Sequence, residues 1–118
     1  MENFSEIVDK RKYARVNSSL PLHYRNLKVA GDPTVESSSR NLSEGGVCFK
    51  SSRFISLACR LVLEITLPAQ PKPIKAITKV AWIKRIPDSE QYELGNQFLE
   101  ITREDKARVA EYISKNIG

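Results

Sequence analysis

The sequence predicts a mainly β domain with one C-terminal helix, and three features of the chain support this prediction. Most of the chain consists of short apolar–polar alternations separated by turn residues, as in antiparallel sheets. The apolar period changes to that of a helix only after Thr102. The length of 118 residues suits one domain with one modest core. Several short strands joined by turns favour an antiparallel sandwich or barrel.

The first two predicted strands form a hairpin. Apolar residues of one parity run from Leu20 to Tyr24, and the turn residues Ala30–Pro33 separate them from a second strand, Val35 to about Leu42. Antiparallel partners run back along each other, so the end of the second strand should lie beside the start of the first. A third short strand then begins at Gly45-Gly46.

Three longer strands complete the predicted sheet. The clearest alternation in the chain comes first, with apolar residues at Leu61, Leu63, Ile65 and Leu67. A long strand follows from Ile74 to Ile86, and Trp82 shares the parity of its apolar residues, so we expect Trp82 in the core. A position for Trp82 on the barrel wall beside a ligand is the alternative. The last strand is marked by Tyr92, Leu94 and Phe98.

One polar residue of the last strand interrupts its apolar face. Asn96 shares a parity with Leu94 and Phe98, which places an amide near the core. A buried amide without partners costs about 1–3 kcal/mol. We therefore expect Asn96 to be hydrogen-bonded or to lie at one end of the barrel.

A helix is predicted over about 103–116. Thr102 followed by Asp105 resembles a capping box with Asp in place of Glu. An apolar stripe with helical spacing then follows, at Val109, Ala110, Ile113 and Ile117. We expect this helix to close the core by packing over an opening or a face of the sheet. Binding to a partner is the alternative.

Residues 1–16 are polar and charged, and we expect them to form a flexible N-terminal arm attached to a domain over 17–118. Phe4, Ile7 and Val8 could form one helical turn, which would be marginal alone in water. Acids stand near the N-terminus where a secretory signal would carry bases, and the apolar stretches are far shorter than a membrane span. We therefore expect a cytoplasmic protein without membrane insertion.

The net charge of +5 favours an acidic partner. The basic residues of the chain concentrate in two stretches. For the stretch Lys10–Arg15 we favour a function in attracting anions. The stretch Lys72–Arg85 holds five bases and no acid, and we interpret it as a solvated surface.

Two polar clusters, one hairpin apart, form the candidate binding site. Arg11 and Arg15 offer two guanidinium forks, which suit a phosphate or the O6/N7 edge of guanine and can stack on a base. Asn41 and Ser43 add neutral hydrogen bonds, and Gly46 lets the backbone come close to a ligand. Because Arg15 precedes the first strand and Asn41 lies near the end of the second, the hairpin brings the clusters together. They predict a receptor for a small anionic ligand that carries guanine.

These five residues resemble the signature of the PilZ family, RxxxR followed by [D/N]xSxxG. The resemblance extends from about Lys10 to about Ile113 and includes the segments Val80–Trp82 and Gly95–Phe98. Domains of this family have a six-stranded antiparallel β-barrel, a split barrel, with a C-terminal helix. They bind the bacterial second messenger cyclic di-GMP. The resemblance therefore implies that fold, that ligand and no further cofactor.

The resemblance also implies a role for each site residue. Arg11 and Arg15 should clasp guanine edges and phosphates from the arm, and Lys12 should add charge near a phosphate. Asn41, Ser43 and Gly46 should receive guanine on the barrel surface, where the two side chains contact the base and the glycine leaves room. The arm should be disordered when free and fold over the ligand when bound. The new surface would then signal to a downstream protein partner, with motility and biofilm formation as possible pathways in this family.

Other functional classes are compatible with a small basic barrel. The chain could be an adaptor that binds a protein, or a barrel that binds single-stranded nucleic acid, in either case without cyclic di-GMP. Nucleic-acid binding needs aromatic residues exposed along a basic groove. Three of the aromatic residues are expected in the core, which disfavours this alternative: Phe49, Trp82 and Phe98.

Enzymatic activity is also disfavoured. The sequence offers no nucleophile with a nearby base, no His/Cys set with metal-ligand spacing, and no Gly-rich phosphate loop at a helix start. His23 is the only histidine, and we expect it at a surface position of a strand. Cys48 and Cys59 are expected to be reduced and partly buried.

Overall fold

The computed structural model describes residues 14–117. Within this part of the chain the elements are β1 Val16–Asn17, β2 Pro21–Asn26, β3 Val35–Leu42, β4 Gly46–Ser51, β5 Arg60–Ile65, β6 Ile74–Arg85, β7 Tyr92–Ile101 and α1 Arg103–Asn116. The six longer strands pair antiparallel in the order β3-β2-β5-β6-β7-β4, and pairing of β4 with β3 closes the barrel. The predicted six-stranded barrel with one C-terminal helix is therefore confirmed.

The short strand β1 adds to the barrel at one end of β3. Val16 lies opposite Leu42 and Asn17 opposite Asn41, so the end of the second predicted strand lies beside the residues that lead into the first, while Pro21 lies opposite Ser38. Val16 is buried in the core. The rest of the predicted arm, up to Tyr13, lies outside the described residues.

Alternation of apolar and polar residues decides which face of each strand points inward. In β5 the side chains of Leu61, Leu63 and Ile65 are buried, whereas Val62 and Glu64 face outward. His23 lies on the outer face of β2, with Nε2 3.7 Å from a carboxylate oxygen of the exposed Glu36, as expected for a surface position.

The helix begins as its sequence predicts and closes the core. The hydroxyl of Thr102 caps α1 by accepting a hydrogen bond from the Asp105 N–H at 3.1 Å. The Asp105 carboxylate turns toward the barrel, where it accepts from the Lys75 N–H at 3.1 Å and from Arg108 at 2.9 Å. Val109 and Ile113 belong to the core cluster, whereas Ile117, from the end of the predicted stripe, is exposed beyond the helix.

Two predictions about polar groups near the core are also confirmed. Asn96 is buried, and its amide oxygen accepts from the Thr78 hydroxyl at 3.1 Å while its amide nitrogen donates to the Leu94 carbonyl at 3.3 Å. Cys48 and Cys59 are free thiols, the first buried and the second partly buried. Over residues 14–117, no helix combines the length and the apolar character that crossing a bilayer requires.

Candidate functional site

A shallow depression on the outer wall of the barrel collects the predicted site residues that the structure describes. The depression has a volume of about 280 Å³ and is lined by Arg15, Asn41, Ser43, Gly46 and Trp82, among others. These residues come from the chain before β1, from β3, the β3–β4 connection and the start of β4, and from β6. The two remaining predicted residues, Arg11 and Lys12, lie outside the described part of the chain.

The floor of the depression is one row of paired residues that crosses neighbouring strands. Asn41 of β3 lies opposite Cys48 of β4, Cys48 lies opposite Gly95 of β7, and Gly95 lies opposite Trp82 of β6. Arg15 directly precedes β1, which pairs with β3 at Asn41. The hairpin therefore brings Arg15 to the end of this row that holds Asn41, and Trp82 forms the other end.

Ser43 organises the tight connection between β3 and β4. Its hydroxyl oxygen accepts hydrogen bonds from the N–H groups of Gly45 and Gly46, at 3.1 and 3.2 Å. Its own N–H donates to the Gly46 carbonyl at 2.9 Å. The serine of the motif thus has a local structural role besides any contact with a ligand, because it satisfies backbone donors in the turn.

Gly46 is required by close packing rather than by an unusual backbone conformation. Its φ is not in the positive range, and a β-carbon at this position would lie 2.0 Å from the Asn96 carbonyl oxygen. That oxygen belongs to the backbone of the paired strand β7, which cannot easily move aside. The glycine of the motif therefore lets β4 approach β7 at the edge of the depression.

The prediction that Trp82 lies in the core is wrong. Its side chain is 39% exposed, whereas Val80 of the same parity is buried. The cause is a register shift between these residues: Val80 lies opposite Asn96, but Trp82 lies opposite Gly95, so Ala81 is an extra residue that moves Trp82 to the outer face. The alternative, a position on the barrel wall beside the candidate site, describes what the structure shows.

Gly95 is a site residue for which the sequence analysis assigned no role. A β-carbon at Gly95 would lie 2.0 Å from Nε1 of Trp82, so the indole lies directly over this glycine. A glycine inside a strand pattern commonly marks such a close approach, and this is the signal that could have identified it. Gly95 allows Trp82 to lie along the wall of the depression.

The charged groups around the floor are an exposed arginine at the rim and one ion pair. Arg15 is exposed at the rim, and Arg40 forms an ion pair with Glu93 at 3.3 Å. Burial raises the pKa of the Cys48 thiol to about 11, with a further contribution from Glu93 that Arg40 and Arg15 partly oppose. Cys48 therefore presents a neutral thiol at pH 7, and the middle of the floor is uncharged.

The basic stretch Lys72–Arg85 lies apart from this depression, except for Ala81 and Trp82. Three of its bases stand within 4.0 Å of surface carboxylates, in the pairs Lys72–Glu104, Lys75–Glu64 and Arg85–Glu90. Such exposed pairs contribute little energy and are typical of a solvated surface. Residues 14–117 hold no group of three or more His, Cys, Asp or Glu residues arranged to bind a metal ion.

Comparison with known proteins shows where this fold occurs. The Bacillus subtilis inhibitor of motility (MotI/DgrA) superposes with a TM-score of 0.77 at 21% identity, over 92% of this chain and 51% of that one. The PilZ domain of Escherichia coli YcgR with c-di-GMP superposes with a TM-score of 0.70 at 15% identity, over 92% of both chains. The K. pneumonia MrkH–c-di-GMP complex gives 0.67 at 17% identity, over 92% and 52%. The present chain thus spans about half the length of MotI/DgrA and of MrkH.

No curated protein matches the sequence closely enough to count as a relative. The structural similarities, all at low identity, show the fold. The family model of the PilZ domain, however, matches residues 9–115, which is nearly the whole chain and includes both arginines of the first motif. The chain belongs to the PilZ domain family.

Proposed function

We propose that this protein is a receptor for cyclic di-GMP (c-di-GMP) and that the depression is its binding site. The observation that carries the proposal is the row Asn41–Cys48–Gly95–Trp82, which has Arg15 at one end and an exposed indole at the other. PilZ structures of YcgR and MrkH with c-di-GMP support the choice of ligand. Arg11 and Lys12 complete the site from the preceding segment.

The chemistry of the row suits a ligand with two guanines and two phosphates. The Arg15 fork can pair with a phosphate or a guanine edge, and the indole of Trp82 offers a flat face for a purine. The Asn41 amide can both donate to and accept from a guanine. The Ser43 oxygen already accepts two backbone hydrogen bonds, and its hydroxyl donates to the Gly46 carbonyl at 3.4 Å, so a donation to the ligand would replace this long internal bond.

The size of the depression explains why the site needs a second part. Pockets that enclose a drug-sized ligand have volumes of about 300–1,000 Å³. A depression of about 280 Å³ is too small to enclose a cyclic dinucleotide. Most of the ligand therefore lies above the floor, where Arg11 and Lys12 cover it from the other side.

Closure of the segment that contains Arg11 and Lys12 over the ligand is the proposed signal. Each charge-assisted hydrogen bond contributes about 1.5–3 kcal/mol, whereas ordering one residue costs about 1–2 kcal/mol. A few such bonds and one stacked base can outweigh the ordering of a short segment. The affinity we expect is micromolar, which corresponds to about −8 kcal/mol. The covered ligand and the closed segment then form a surface that a downstream protein binds. We propose that this downstream protein acts in motility or biofilm formation.

Isothermal titration calorimetry with cyclic di-GMP tests the proposal. The variants Arg11→Ala and Arg15→Ala should lose measurable binding while their circular dichroism spectra stay unchanged. Arg103→Ala removes another exposed arginine, at the start of α1 and outside the lining of the depression, and should bind as the wild type does. Unchanged affinity in both motif variants would refute the proposal.

Single-stranded nucleic acid is a second candidate ligand. The sequence disfavours it partly because Trp82 is expected in the core, whereas the structure shows that Trp82 is exposed. An exposed aromatic beside a cationic rim is the arrangement that binds single strands by stacking. Competition separates the two candidates. If cyclic di-GMP is the ligand, a tenfold excess of a twelve-base oligonucleotide leaves the cyclic di-GMP titration unchanged. Displacement by the oligonucleotide would favour the second candidate.

A further inference from the structure

A second concavity on the outer wall of the barrel adjoins the candidate site. It is a groove of about 1180 Å³ that shares Gly45 and Gln97 with the depression lined by Arg15. Its apolar residues include one from, or directly after, each of the four adjacent strands β2, β5, β6 and β7: Leu27, Val62, Ile77 and Leu99. The groove therefore continues from the binding site across most of one wall.

Several apolar residues of this groove lie on the outer face of the barrel, whereas Ala76, Phe98 and Ile101 also contribute to the core or pack against it. In β5 and β6 the alternate residues face inward, so the paired residues Val62 and Ile77 face outward and are only partly buried. Leu99 is the extra residue of a register shift, because Ile77 lies opposite Glu100 and Thr78 opposite Phe98. Single apolar residues on a surface are normal, but a contiguous concave strip is typical of an interaction site.

The course of the chain leads from the candidate site toward this groove. Because β1 and β3 are antiparallel, with Val16 opposite Leu42, the direction of β1 followed backward from Val16 leads past Ser43 toward Glu44 and Gly45. Both Glu44 and Gly45 line the groove. From Ala14 back to Val8, six residues can span about 20 Å when extended. The beginning of the sequence can therefore reach the apolar strip.

The composition of that beginning complements the groove. Residues 1–9 contain three apolar side chains with helical spacing, Phe4, Ile7 and Val8, and three acids, Glu2, Glu6 and Asp9. The groove is bordered by three bases, Arg25, Lys75 and Lys106, and by two acids, Glu44 and Glu100, and Lys75 lies 3.9 Å from a carboxylate oxygen of Glu64. Apolar residues can thus meet apolar residues while the acids of the segment meet Arg25 and Lys106, two of the bases at the border.

We propose that Met1–Asp9 docks in this groove when cyclic di-GMP is bound, with Phe4 and Ile7 packed against Ile77 and Leu99. The inference rests on the proposed function, because the ligand holds Arg11 and Arg15 against the barrel and so directs the preceding residues along the groove. Docking and ligand binding then stabilise each other. Apolar side chains that do not touch the ligand contribute to its affinity.

Methyl NMR of the full-length protein tests this inference, with calorimetry on the same samples. Cyclic di-GMP should shift the methyl signals of Ile77 and Leu99, which lie in the groove outside the depression. The double variant Phe4→Ser/Ile7→Ser should lose these shifts and bind the ligand about tenfold more weakly. Phe54→Ser removes an exposed aromatic, 62% exposed, on another loop and should change neither property.

Three results would contradict the inference in distinguishable ways. Calorimetric binding without any shift of the Ile77 and Leu99 signals would overturn the docking and leave the proposed function intact. Shifts that persist in the Phe4→Ser/Ile7→Ser variant would mean that another occupant, such as a second copy of the chain, covers the groove. Absence of any cyclic di-GMP binding by the wild type would remove the proposed function, and the docking with it.

Discussion

The indole of Trp82 lies over Gly95, so close that a β-carbon on the glycine would stand 2.0 Å from Nε1. The register shift at Ala81 turns Trp82 outward, and Gly95 leaves the space into which the ring folds. The two residues together form one end of the candidate binding site. The register shift in β6 therefore shapes part of the surface that a ligand would contact.

Replacing Gly95 should displace the indole. The variant Gly95→Ala forces Trp82 out of its place, because the clash falls on ring atoms held close to the strand. We expect a shift in tryptophan fluorescence, which reports on this ring alone since the chain has one tryptophan, and weaker cyclic di-GMP binding. In a Trp82→Ala background the same change should be neutral or stabilising by about 0.4–1 kcal/mol. Equal effects in both backgrounds would contradict the contact.

Gly46 should be less tolerant of substitution than Gly31. The added methyl of Gly46→Ala meets the Asn96 carbonyl of a paired strand, and we expect a loss of about 1–3 kcal/mol in urea unfolding. Gly31→Asn is the control, because nothing lies within 4 Å of a β-carbon there and Asn accepts its positive φ of 75°. A Gly46→Ala variant as stable as the wild type would show that β4 and β7 are not packed as described.

The buried pair Thr78 and Asn96 should behave as a unit. Asn96→Ala leaves the Thr78 hydroxyl without its acceptor and should lower the free energy of unfolding by about 1–3 kcal/mol. The double variant Thr78→Val/Asn96→Leu removes both polar groups and should recover most of this loss. We interpret the two side chains as serving mainly to satisfy each other's hydrogen-bonding groups. A double variant less stable than Asn96→Ala would contradict this interpretation.

The Cys48 thiol should make stability depend on pH in the alkaline range. Its pKa is raised from 9.0 to about 11, so the fold favours the protonated thiol. This contribution is complete below pH 9 and is lost as the pH rises through 11. The stability of the wild type relative to Cys48→Ala should therefore fall between pH 9 and pH 11. A difference that stays constant over this range would show that the thiol is not desolvated.

Strand alternation explains why most of the fold could be predicted from the sequence. Leu61, Leu63 and Ile65 face the core because side chains alternate along a strand, and the same parity rule placed Asn96 inside. The hairpin geometry likewise brought Arg15 and Asn41 to one place. These features depend on local periods and on the direction of neighbouring strands, both of which can be read from one sequence.

The face of Trp82 could not be predicted in the same way. It depends on one extra residue, Ala81, whose effect appears only when β6 pairs with β7. The roles of Gly46 and Gly95 also depend on atoms of a strand distant in sequence. The sequence predicts Ser43 as a binding residue, but its bonds to the Gly45 and Gly46 N–H groups depend on the shape of the turn. Pairing irregularities and close contacts between strands leave little trace in periodicity.

The position of the ligand is the most direct test of the binding mode. A crystal structure with cyclic di-GMP, or intermolecular nuclear Overhauser effects in solution, would provide it. We predict a guanine in contact with the Trp82 indole and Asn41, and a phosphate or a guanine edge paired with Arg15. A ligand bound elsewhere on the barrel, with no contact to the row from Asn41 to Trp82, would contradict this account.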